Sequence, residues 1–353
     1  MLHIRAPRLT ISGMIRQRLC VLFPLSRIQL TCRVALILCM IWAAGCSAPS
    51  QTGPAVFTTA DWTYKGAAGS ELTSYHYKIY TTCKRKPFVR ALPTFLETCY
   101  AAYAKLLPPS PELQAAGELA DGKPLKTYLF QRRRQWERFV EEFSPKRAET
   151  YKRIRRGGFT ERGITVSHYG TQRSTLSILA HEGLHQYLEA TGRNRIPAWI
   201  NEGLACYFES FDLVGGRPVF DPANNTLRTP ALRKALATDS LIPLREILAT
   251  NAGIAVHQKA QHVSSYYAQE WSLILFLLHS PLENPYYADF HKLLDELGTK
   301  AMRRKANAYL ATDTNGTMSR GEAVFRAYVT DDLNTFESDY KKYLIRLLGI
   351  QTF

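Results

Sequence analysis

Apolar residues recur at intervals of three and four in the middle of the chain, and this spacing predicts an amphipathic helix over residues 175–190. A second apolar stripe predicts another helix over residues 197–211, with Pro197 suited to its first turn. The polar residues 191–194 between them contain a glycine and predict a turn. The centre of the chain is therefore expected to be a pair of helices that fold back on each other.

Before this pair, two segments alternate between apolar and polar positions, and a helical pattern follows each of them. The predicted strands cover residues 75–81 and 125–130, and the predicted helices cover residues 94–107 and 135–143. Thr94 and Glu97, directly after Pro93, are expected to form a capping box for the first of these helices. A third strand is predicted over residues 163–170. These segments indicate a small sheet.

Helical periodicity dominates the rest of the chain. Residues 214–219 contain two glycines and predict a hairpin turn. The helices predicted after it cover residues 264–279, 285–297, 300–310, 319–329 and 332–348. The predicted fold class is therefore α+β: a small mixed sheet with an edge strand beside the first central helix, followed by a largely helical C-terminal half.

That central helix carries His181-Glu182-Gly183-Leu184-His185, an H-E-x-x-H motif. Residues four apart share one face of a helix, so His181 and His185 can bind one Zn²⁺. Glu182 lies beside the first histidine, where its carboxylate could take a proton from water that the metal activates. The alternative is that the motif arose by chance and gives two surface histidines on an amphipathic helix.

A catalytic zinc usually takes three protein ligands, so the sequence must supply one more. The pattern with a third histidine six residues after the second is excluded, because Thr191 occupies that position. Glu202 fits the other pattern, in which a glutamate comes from the following helix. It is an acid within a largely apolar helix, and a buried carboxylate needs a partner or a metal. The predicted ligands are His181, His185 and Glu202.

These segments resemble the gluzincin metallopeptidases, and more closely the peptidase-MA-like group of bacterial proteins. The pattern of that group runs H-E-x-x-H-Q, then P-x-W-x-x-E-G-x-A, then Y-x-Q-x-x-x-L. The matching segments here are residues 181–186, 197–205 and 267–273. The resemblance extends from Ser74 to the C-terminus and is strongest between Gly163 and Leu278. It implies a zinc-dependent peptidase acting on a peptide or protein, but no particular substrate.

The resemblance also implies roles for single residues. Glu182 would act as the general base toward water, and Tyr267, from a later helix, would stabilise the oxyanion. Tyr266 is a rival for that role, and the alternative for Tyr267 is a core aromatic with a satisfied hydroxyl. The free edge of the strand over residues 163–170 would align the substrate backbone by strand addition.

Two other functions remain open at this point. One is a zinc-containing envelope module that binds without turnover; the intact Glu182 argues against it, because a binder needs no base there. The other is an aminopeptidase. Those relatives carry a G-x-M-E-N segment before the zinc helix, and this sequence contains none. Endopeptidase activity is therefore favoured.

The first 60 residues contain six arginines and no acidic residue. The apolar run of residues 34–42 is too short to span a bilayer, and it is followed by Ala43-Ala44-Gly45-Cys46. A basic region, a short apolar core and small residues at the cleavage point are typical of a secretory signal. Small residues directly before a cysteine resemble the bacterial lipobox, which implies lipidation at Cys46. The alternative is a buried N-terminal helix with an ordinary Cys46.

These features predict three parts. Residues 1–45 would be a lipoprotein signal peptide, residues 46–72 a flexible tether rich in small and polar residues, and residues 73–353 the peptidase domain. That domain would divide into an α/β part over residues 73–160 and a catalytic, helical part over residues 161–353. The mature protein is expected to be exported and lipid-anchored to the bacterial cell envelope.

The chain has 45 basic and 30 acidic residues and a formal net charge of +15, of which six units lie in the predicted leader. Basic clusters at Arg132-Arg133-Arg134 and over residues 152–156 carry much of the remaining excess. Such clusters can bind nucleic acid. In an exported protein we interpret them as a solvated face, or as an attraction to anionic lipid or cell-wall polymer. No nucleic-acid partner is predicted.

Three cysteines remain beyond Cys46, and none has the spacing of a metal site. In an oxidising compartment Cys83 and Cys99 could form a disulfide, and buried thiols are the alternative. The sequence does not decide between a Cys83–Cys99 disulfide and two buried thiols.

Overall fold

A computed structural model describes residues 53–114, 123–154, 157–193, 195–255, 258–280 and 282–350. From Pro54 onward these residues belong to one unit. The predicted signal peptide and Cys46 lie outside the described ranges. In the part of the chain that the structure describes, no helix is both long enough and apolar enough to cross a bilayer.

Six strands form a mixed sheet in the order β1-β2-β3-β4-β6-β5. They are β1 (Thr58–Tyr64), β2 (Ala67–Thr73), β3 (Tyr77–Thr81), β4 (Leu125–Phe130), β5 (Gly158–Glu161) and β6 (Ile164–His168). Strands β3, β4 and β6 run parallel, whereas β1, β2 and β5 pair antiparallel with their neighbours. A separate two-stranded hairpin consists of β7 (Phe211–Val214) and β8 (Arg217–Phe220).

The predicted tether over residues 46–72 is wrong for its second half, because β1 and β2 form a hairpin there. The turn residues Lys65 and Gly66 both have positive φ, as a tight hairpin turn requires. Trp62 and Tyr64 on β1 pack against Phe130 on the sheet. Threonine and alanine residues around Trp62 weaken the alternating pattern of β1, so the sequence did not predict a strand there. The predicted division at residues 160/161 also falls inside β5, so it does not separate two parts.

The helices before and at the centre of the chain are α1 (Lys86–Leu106), α2 (Pro111–Gln114), α3 (Arg133–Phe143), α4 (Ala148–Lys152), α5 (Gln172–Ala190) and α6 (Ala198–Tyr207). One face of the sheet, with Ile79 and Leu129, packs in the same core as α1 and α5. The opposite face, with Phe130 and Val166, packs against α3. The connections after β3 and β6 therefore lie on one face, and the connection after β4 lies on the other.

Helix α1 begins eight residues earlier than predicted, and the expected capping box is wrong. Pro87 in its first turn is the actual start signal. Thr94 lies in mid-helix, and its Oγ1 accepts a hydrogen bond from the Ala55 backbone N–H at 3.1 Å. Glu97 instead ties the start of β3, because its carboxylate accepts hydrogen bonds from the Ser74 hydroxyl and from the His76 backbone.

The C-terminal half is helical, as predicted, so the α+β fold class is confirmed. Its helices are α7 (Thr229–Ala237), α8 (Leu244–Ala249), α9 (Ala252–Ala255), α10 (Ala260–Leu277), α11 (Tyr287–Glu296), α12 (Lys300–Leu310), α13 (Arg320–Tyr328) and α14 (Leu333–Leu347). Side chains of Thr299, Ser319 and Asp332 cap the last three. Cys83 and Cys99 are free, buried thiols rather than a disulfide.

Candidate metal centre

Helix α5 carries the two histidines of the H-E-x-x-H motif on one face. Gly183 lies between them on the opposite side, where a Cβ would come 3.0 Å from the Tyr103 hydroxyl on α1. The same hydroxyl donates a hydrogen bond to the Ala180 carbonyl at 2.6 Å. Close packing against α1 therefore fixes α5 on the sheet and leaves the histidine face directed at α6.

Three side-chain atoms of the predicted ligands converge. The Nε2 atoms of His181 and His185 lie 3.2 Å apart, and Glu202 Oε2 lies 3.4 Å from the first and 3.5 Å from the second. Ligands placed 2.0–2.1 Å from one tetrahedral ion would be roughly 3.3 Å from one another. The two nitrogens and one carboxylate oxygen thus fit a single tetrahedral metal that keeps one open position.

The other ring nitrogen of each histidine has its own partner. Nδ1 of His181 lies 2.9 Å from Glu209 Oε1, and Nδ1 of His185 lies 2.9 Å from Asn201 Oδ1. Each oxygen accepts a hydrogen bond from Nδ1–H, which leaves the Nε2 lone pairs directed at the shared centre. Outer partners of this kind fix the tautomer and the orientation of histidine ligands.

Hydrogen bonds from Arg228 and Asn225 hold the Glu209 carboxylate in place. Its carboxylate accepts hydrogen bonds from Arg228 Nε at 2.8 Å and from Asn225 Nδ2 at 3.1 Å, and the second Arg228 nitrogen bonds its other oxygen. Burial alone would raise the pKa of Glu209, but Arg228 and His181 lower it to about 2. Glu209 therefore stays ionised between a fixed guanidinium and the first histidine.

The carboxylates favour a cation at this centre. Burial alone would lower the pKa of His181, but hydrogen bonds to Cys206, Glu202 and Glu209 raise it well above its ordinary value. Burial would likewise raise the pKa of Glu202, but His185 and His181 hold it well below its usual range. Negative potential therefore collects where the three ligand atoms meet, and a positive ion at that point is stabilised.

Glu202 is brought to α5 by a close helix contact. At the neighbouring Gly203, a Cβ would lie 2.6 Å from the Glu270 carbonyl and 2.4 Å from Ile274 on α10. Any larger residue would push α6 away from α10. Glycine after the ligand is thus a packing requirement, and it sets how deeply Glu202 sits.

Glu182 faces the same cavity as the ligands. Its Oε2 accepts a hydrogen bond from the Thr160 hydroxyl at 3.1 Å, and the same hydroxyl lies 3.0 Å from the Glu182 carbonyl. Burial raises the pKa of the Glu182 carboxyl above its ordinary value of 4.5. A raised pKa suits a group that must first take a proton and then give it back.

Tyr267 lies on α10 and lines the cavity with the three ligands and Glu182. Its ring centroid is 6.4 Å from that of His181, and the Arg228 guanidinium lies over the ring at 4.9 Å. Burial raises the pKa of the Tyr267 hydroxyl well above 10, so the hydroxyl keeps its proton. Among the described residues none is hydrogen-bonded to this hydroxyl.

Tyr266, the rival in the sequence, is in a different position. It is fully buried, and its hydroxyl lies 3.4 Å from the Thr250 carbonyl. It is not among the residues that line the cavity. Of the two tyrosines, only Tyr267 therefore has access to a molecule bound at the centre.

Glu270, one helical turn beyond Tyr266 and Tyr267, is also fully buried near the centre. Neither oxygen of its carboxyl has a hydrogen-bond partner within the described ranges. Burial and the negative charge of Glu202 raise the pKa of its carboxyl well above the ordinary value, which favours the neutral form.

The cavity over the centre has a volume of about 200 Å³ and adjoins a larger one of about 780 Å³. His181, Glu182 and Tyr267 line both. Apolar side chains of Ile178 and Val263 also line the larger cavity. Together the two adjoining cavities form a cleft over the centre.

The strand beside the cleft is not the predicted one. Residues 163–170 were expected to present a free edge, but β6 is paired on both sides, with β4 and with β5. The free edge belongs to β5, and Gly158, Phe159 and Thr160 of that strand line the cavity. With only four residues, β5 is too short to be recognised from an alternation of apolar and polar residues.

Sequence reasoning also missed Glu209, Asn225 and Arg228. Glu209 lies just after α6, and Arg228 lies across the β7–β8 hairpin from it, so no regular spacing joins either to the motif. Asn201, which orients His185, differs from these three because its position in the sequence gives a clue. It stands directly before the predicted ligand Glu202.

Comparison with known proteins gives one family-level match. Residues 175–300 match a family model described as Protein of unknown function (DUF1570). The matched segment begins within α5 and includes His181, Glu202 and Tyr267. No curated protein matches the chain, and no solved structure matches it.

Glu209→Gln is expected to weaken zinc binding about 10–100-fold, the usual cost of losing an outer partner of a histidine ligand. The amide keeps the shape but loses the charge that Arg228 and His181 share. Competition with a chromogenic chelator measures the affinity. Glu246→Gln, an exposed carboxylate elsewhere, is the control and should leave the affinity unchanged. Equal zinc affinities of Glu209→Gln and wild type would contradict the role assigned to Glu209.

Proposed function

We propose that the protein is a zinc-dependent peptidase that hydrolyses peptide bonds within polypeptide chains. One observation carries the proposal: the Nε2 atoms of His181 and His185 and Glu202 Oε2 converge within 3.5 Å, and Glu182 faces the same cavity. A buried site that held histidines only for structural reasons would have no need of this open cleft. The resemblance to gluzincins points to the same chemistry.

His181, His185 and Glu202 would hold the zinc ion. Bound there, zinc would polarise a substrate carbonyl and make a water molecule more acidic. Glu209 and Asn201 would keep the imidazoles in the tautomer that ligation needs. The negative potential of the carboxylates supports a divalent cation rather than a neutral ligand.

Glu182 would act as general base and then as general acid. Its carboxylate would take a proton from the attacking water and pass it to the leaving amine. The Thr160 hydroxyl holds one carboxylate oxygen at 3.1 Å and leaves the other available. Because burial raises its pKa, Glu182 is better suited to return the proton than an exposed glutamate.

The free edge of β5 would bind the substrate backbone. An extended peptide added to this edge would continue the sheet, and its backbone would pair with residues 158–161. The larger cavity, which Ile178 and Val263 line, gives room beside the centre for more than one substrate residue. This geometry favours cleavage within a chain over removal of terminal residues.

Metal analysis of the purified domain followed by cleavage of a peptide library tests the proposal. We expect about one zinc per chain and products from internal bonds. Zinc without any cleavage would favour a binding module, and release of single N-terminal residues alone would favour an aminopeptidase.

Tyr267→Phe is expected to lower kcat about 10²–10³-fold, as for the loss of one oxyanion donor, with little change in KM. The hydroxyl stabilises charge that develops only in the transition state, so substrate binding should depend on it little. Tyr266→Phe is the matched control, since its hydroxyl lies 3.4 Å from the Thr250 carbonyl and Tyr266 does not line the cavity. A larger loss of kcat in Tyr266→Phe would reverse the assignment.

We also propose that the protein is exported and held at the cell envelope by a lipid on Cys46. This rests on the basic leader, the short apolar run and the residues Ala43-Ala44-Gly45 before the cysteine. Cys46→Ala is expected to move the protein out of the membrane fraction or to block its processing. If the variant and the wild type fractionate alike and mass spectrometry finds no lipid on either, the anchor is refuted.

A further inference from the structure

A separate cavity, of about 380 Å³, lies outside the proposed active site, at the carboxyl ends of β3 and β4. Thr82 directly follows β3, Gln131 directly follows β4, and both line it. Four cationic residues, Lys84, Arg132, Arg134 and Arg138, line it as well, and no acidic residue of the described part of the chain does. Charge of one sign around a cavity of small-molecule size indicates an anionic ligand.

The topology of the sheet places a binding crevice at this point. After β3 the chain enters α1 on one face of the sheet, and after β4 it enters α3 on the opposite face. Where neighbouring parallel strands send their connections to opposite faces, a crevice opens outside their carboxyl ends, and open α/β sheets bind ligands there. The α3 N-terminus opens on the same crevice and adds the positive end of its dipole.

The floor of this cavity is prebuilt by hydrogen bonds. The Thr82 hydroxyl accepts from the Gln131 backbone at 2.9 Å and donates to Gln135 Oε1 at 3.1 Å. Gln131 Oε1 in turn accepts from the Lys84 backbone at 3.0 Å. Ala67 and Ala68 on β2 complete the lining, and Lys84 Nζ donates a hydrogen bond to the Ala68 carbonyl. The crevice is thus held in shape by the chain itself.

Among the described residues the arginines of the cavity have no carboxylate at ion-pair distance, although Lys152 and, to a smaller extent, Arg138 lower the pKa of Glu141. Within the described residues Arg132, Arg134 and Arg138 make no ion pair within 4.0 Å. The acids of α3 are engaged elsewhere, since Glu137 pairs with Arg133, Glu141 with Lys152, and Glu142 with Lys65. Arg133 is turned away from the cavity and bonds the backbone carbonyls of Lys152 and Ile154. Of the three consecutive arginines, Arg133 is therefore structural, whereas Arg132 and Arg134 line the cavity.

We propose that this cavity binds a small molecule that carries phosphate groups. Guanidinium groups bind phosphate through two parallel hydrogen bonds, and a phosphate that carries close to two negative charges at neutral pH matches several of them at once. The size of the cavity fits a compact phosphate ester or the headgroup of a phospholipid, not a folded partner. The site is independent of the proposed peptidase chemistry.

Isothermal titration calorimetry of the purified domain with pyrophosphate at about 0.15 M salt tests the proposal. We expect saturable binding that Arg134→Gln with Arg138→Gln weakens about 100-fold, because each lost guanidinium contact is worth about tenfold or more. Arg304→Gln with Arg346→Gln removes the same charge from exposed positions outside the cavity, and binding should remain as in wild type. No binding to wild type, or equal weakening in both double variants, overturns the site.

Vesicles of phosphatidylglycerol, with phosphatidylcholine vesicles as reference, distinguish the two sources of the phosphate. Vesicle binding that the cavity variant loses and the control variant keeps, together with pyrophosphate binding, supports a headgroup as the ligand. Pyrophosphate binding without vesicle binding supports a free phosphate compound. Vesicle binding without pyrophosphate binding would show attraction to a charged surface only, and would overturn the cavity as a ligand site.

Discussion

Glu182→Gln is expected to lower the rate of peptide hydrolysis by about 10²–10⁴-fold, the usual cost of removing a general base, while zinc content stays unchanged. The amide has the size of the carboxylate and can still accept the hydrogen bond from Thr160, so the cavity keeps its shape. It cannot take a proton from water at neutral pH. The measurement is kcat/KM on a peptide from the library, with zinc determined on the same sample.

Glu189→Gln is the matched control, because it makes the same chemical change two turns further along α5. Glu189 accepts a hydrogen bond from the Gly163 backbone and does not line the cavity. The activity of the Glu189→Gln variant should stay close to that of wild type. If Glu182→Gln keeps full activity, the cleavage comes from other residues or from a contaminant, and the proposed mechanism fails.

Glu202→Ala is expected to abolish stable zinc binding, and with it all hydrolysis. The variant keeps only two ligand nitrogens, and catalytic zinc sites usually need three protein ligands. The loss should therefore exceed the roughly 10–100-fold effect of losing an outer partner. Zinc content after dialysis measures it directly. Thermal unfolding adds a second readout, because a metal that binds only the native state stabilises it by about 2.7 kcal/mol at 100 times its Kd.

Wild type should therefore unfold at a higher temperature with zinc than with a chelator, and Glu202→Ala should show no such difference. Glu246→Ala, an exposed acid paired with His262, is the control and should respond like wild type. A variant Glu202→Ala that holds zinc as tightly as wild type would mean that the third ligand lies elsewhere in the chain.

Two of the residues proposed to bind zinc could be predicted from the sequence because their geometry is local. Positions four apart on a helix share a face whatever the rest of the fold does, so His181 and His185 were fixed by their spacing. Glu202 could be predicted because it is an acid among apolar residues on the next helix. The structure places all three where one ion could bind them.

The strands that were missed lacked such a local signal. Alternation over β1 is weakened by threonine and alanine, so Trp62 and Tyr64 did not stand out as one face. Strand β5 has only four residues and is recognisable only by its pairing with β6. The start of α1 was placed at Thr94 because a local capping pattern there imitates a real one. Strands β1 and β5 are defined by their pairing with the next strand, and the start of α1 by Pro87, and none of these signals is an alternation or a capping pattern.

The sequence by itself predicted the last five helices, α10 to α14, and the residues proposed to hold the metal and the base. Regular spacing along α5 brings His181 and His185 together, and an acid among apolar residues marks Glu202 on α6. Only the tertiary structure decided that Glu209 and Arg228 support His181 and that Tyr267 rather than Tyr266 faces the cleft. It also decided that β5, not β6, is the edge strand of the sheet beside the cleft. It also gathered Lys84 with three arginines around one crevice. These groupings depend on where the chain reverses and which face of the sheet each helix takes, and no periodicity along the chain encodes that.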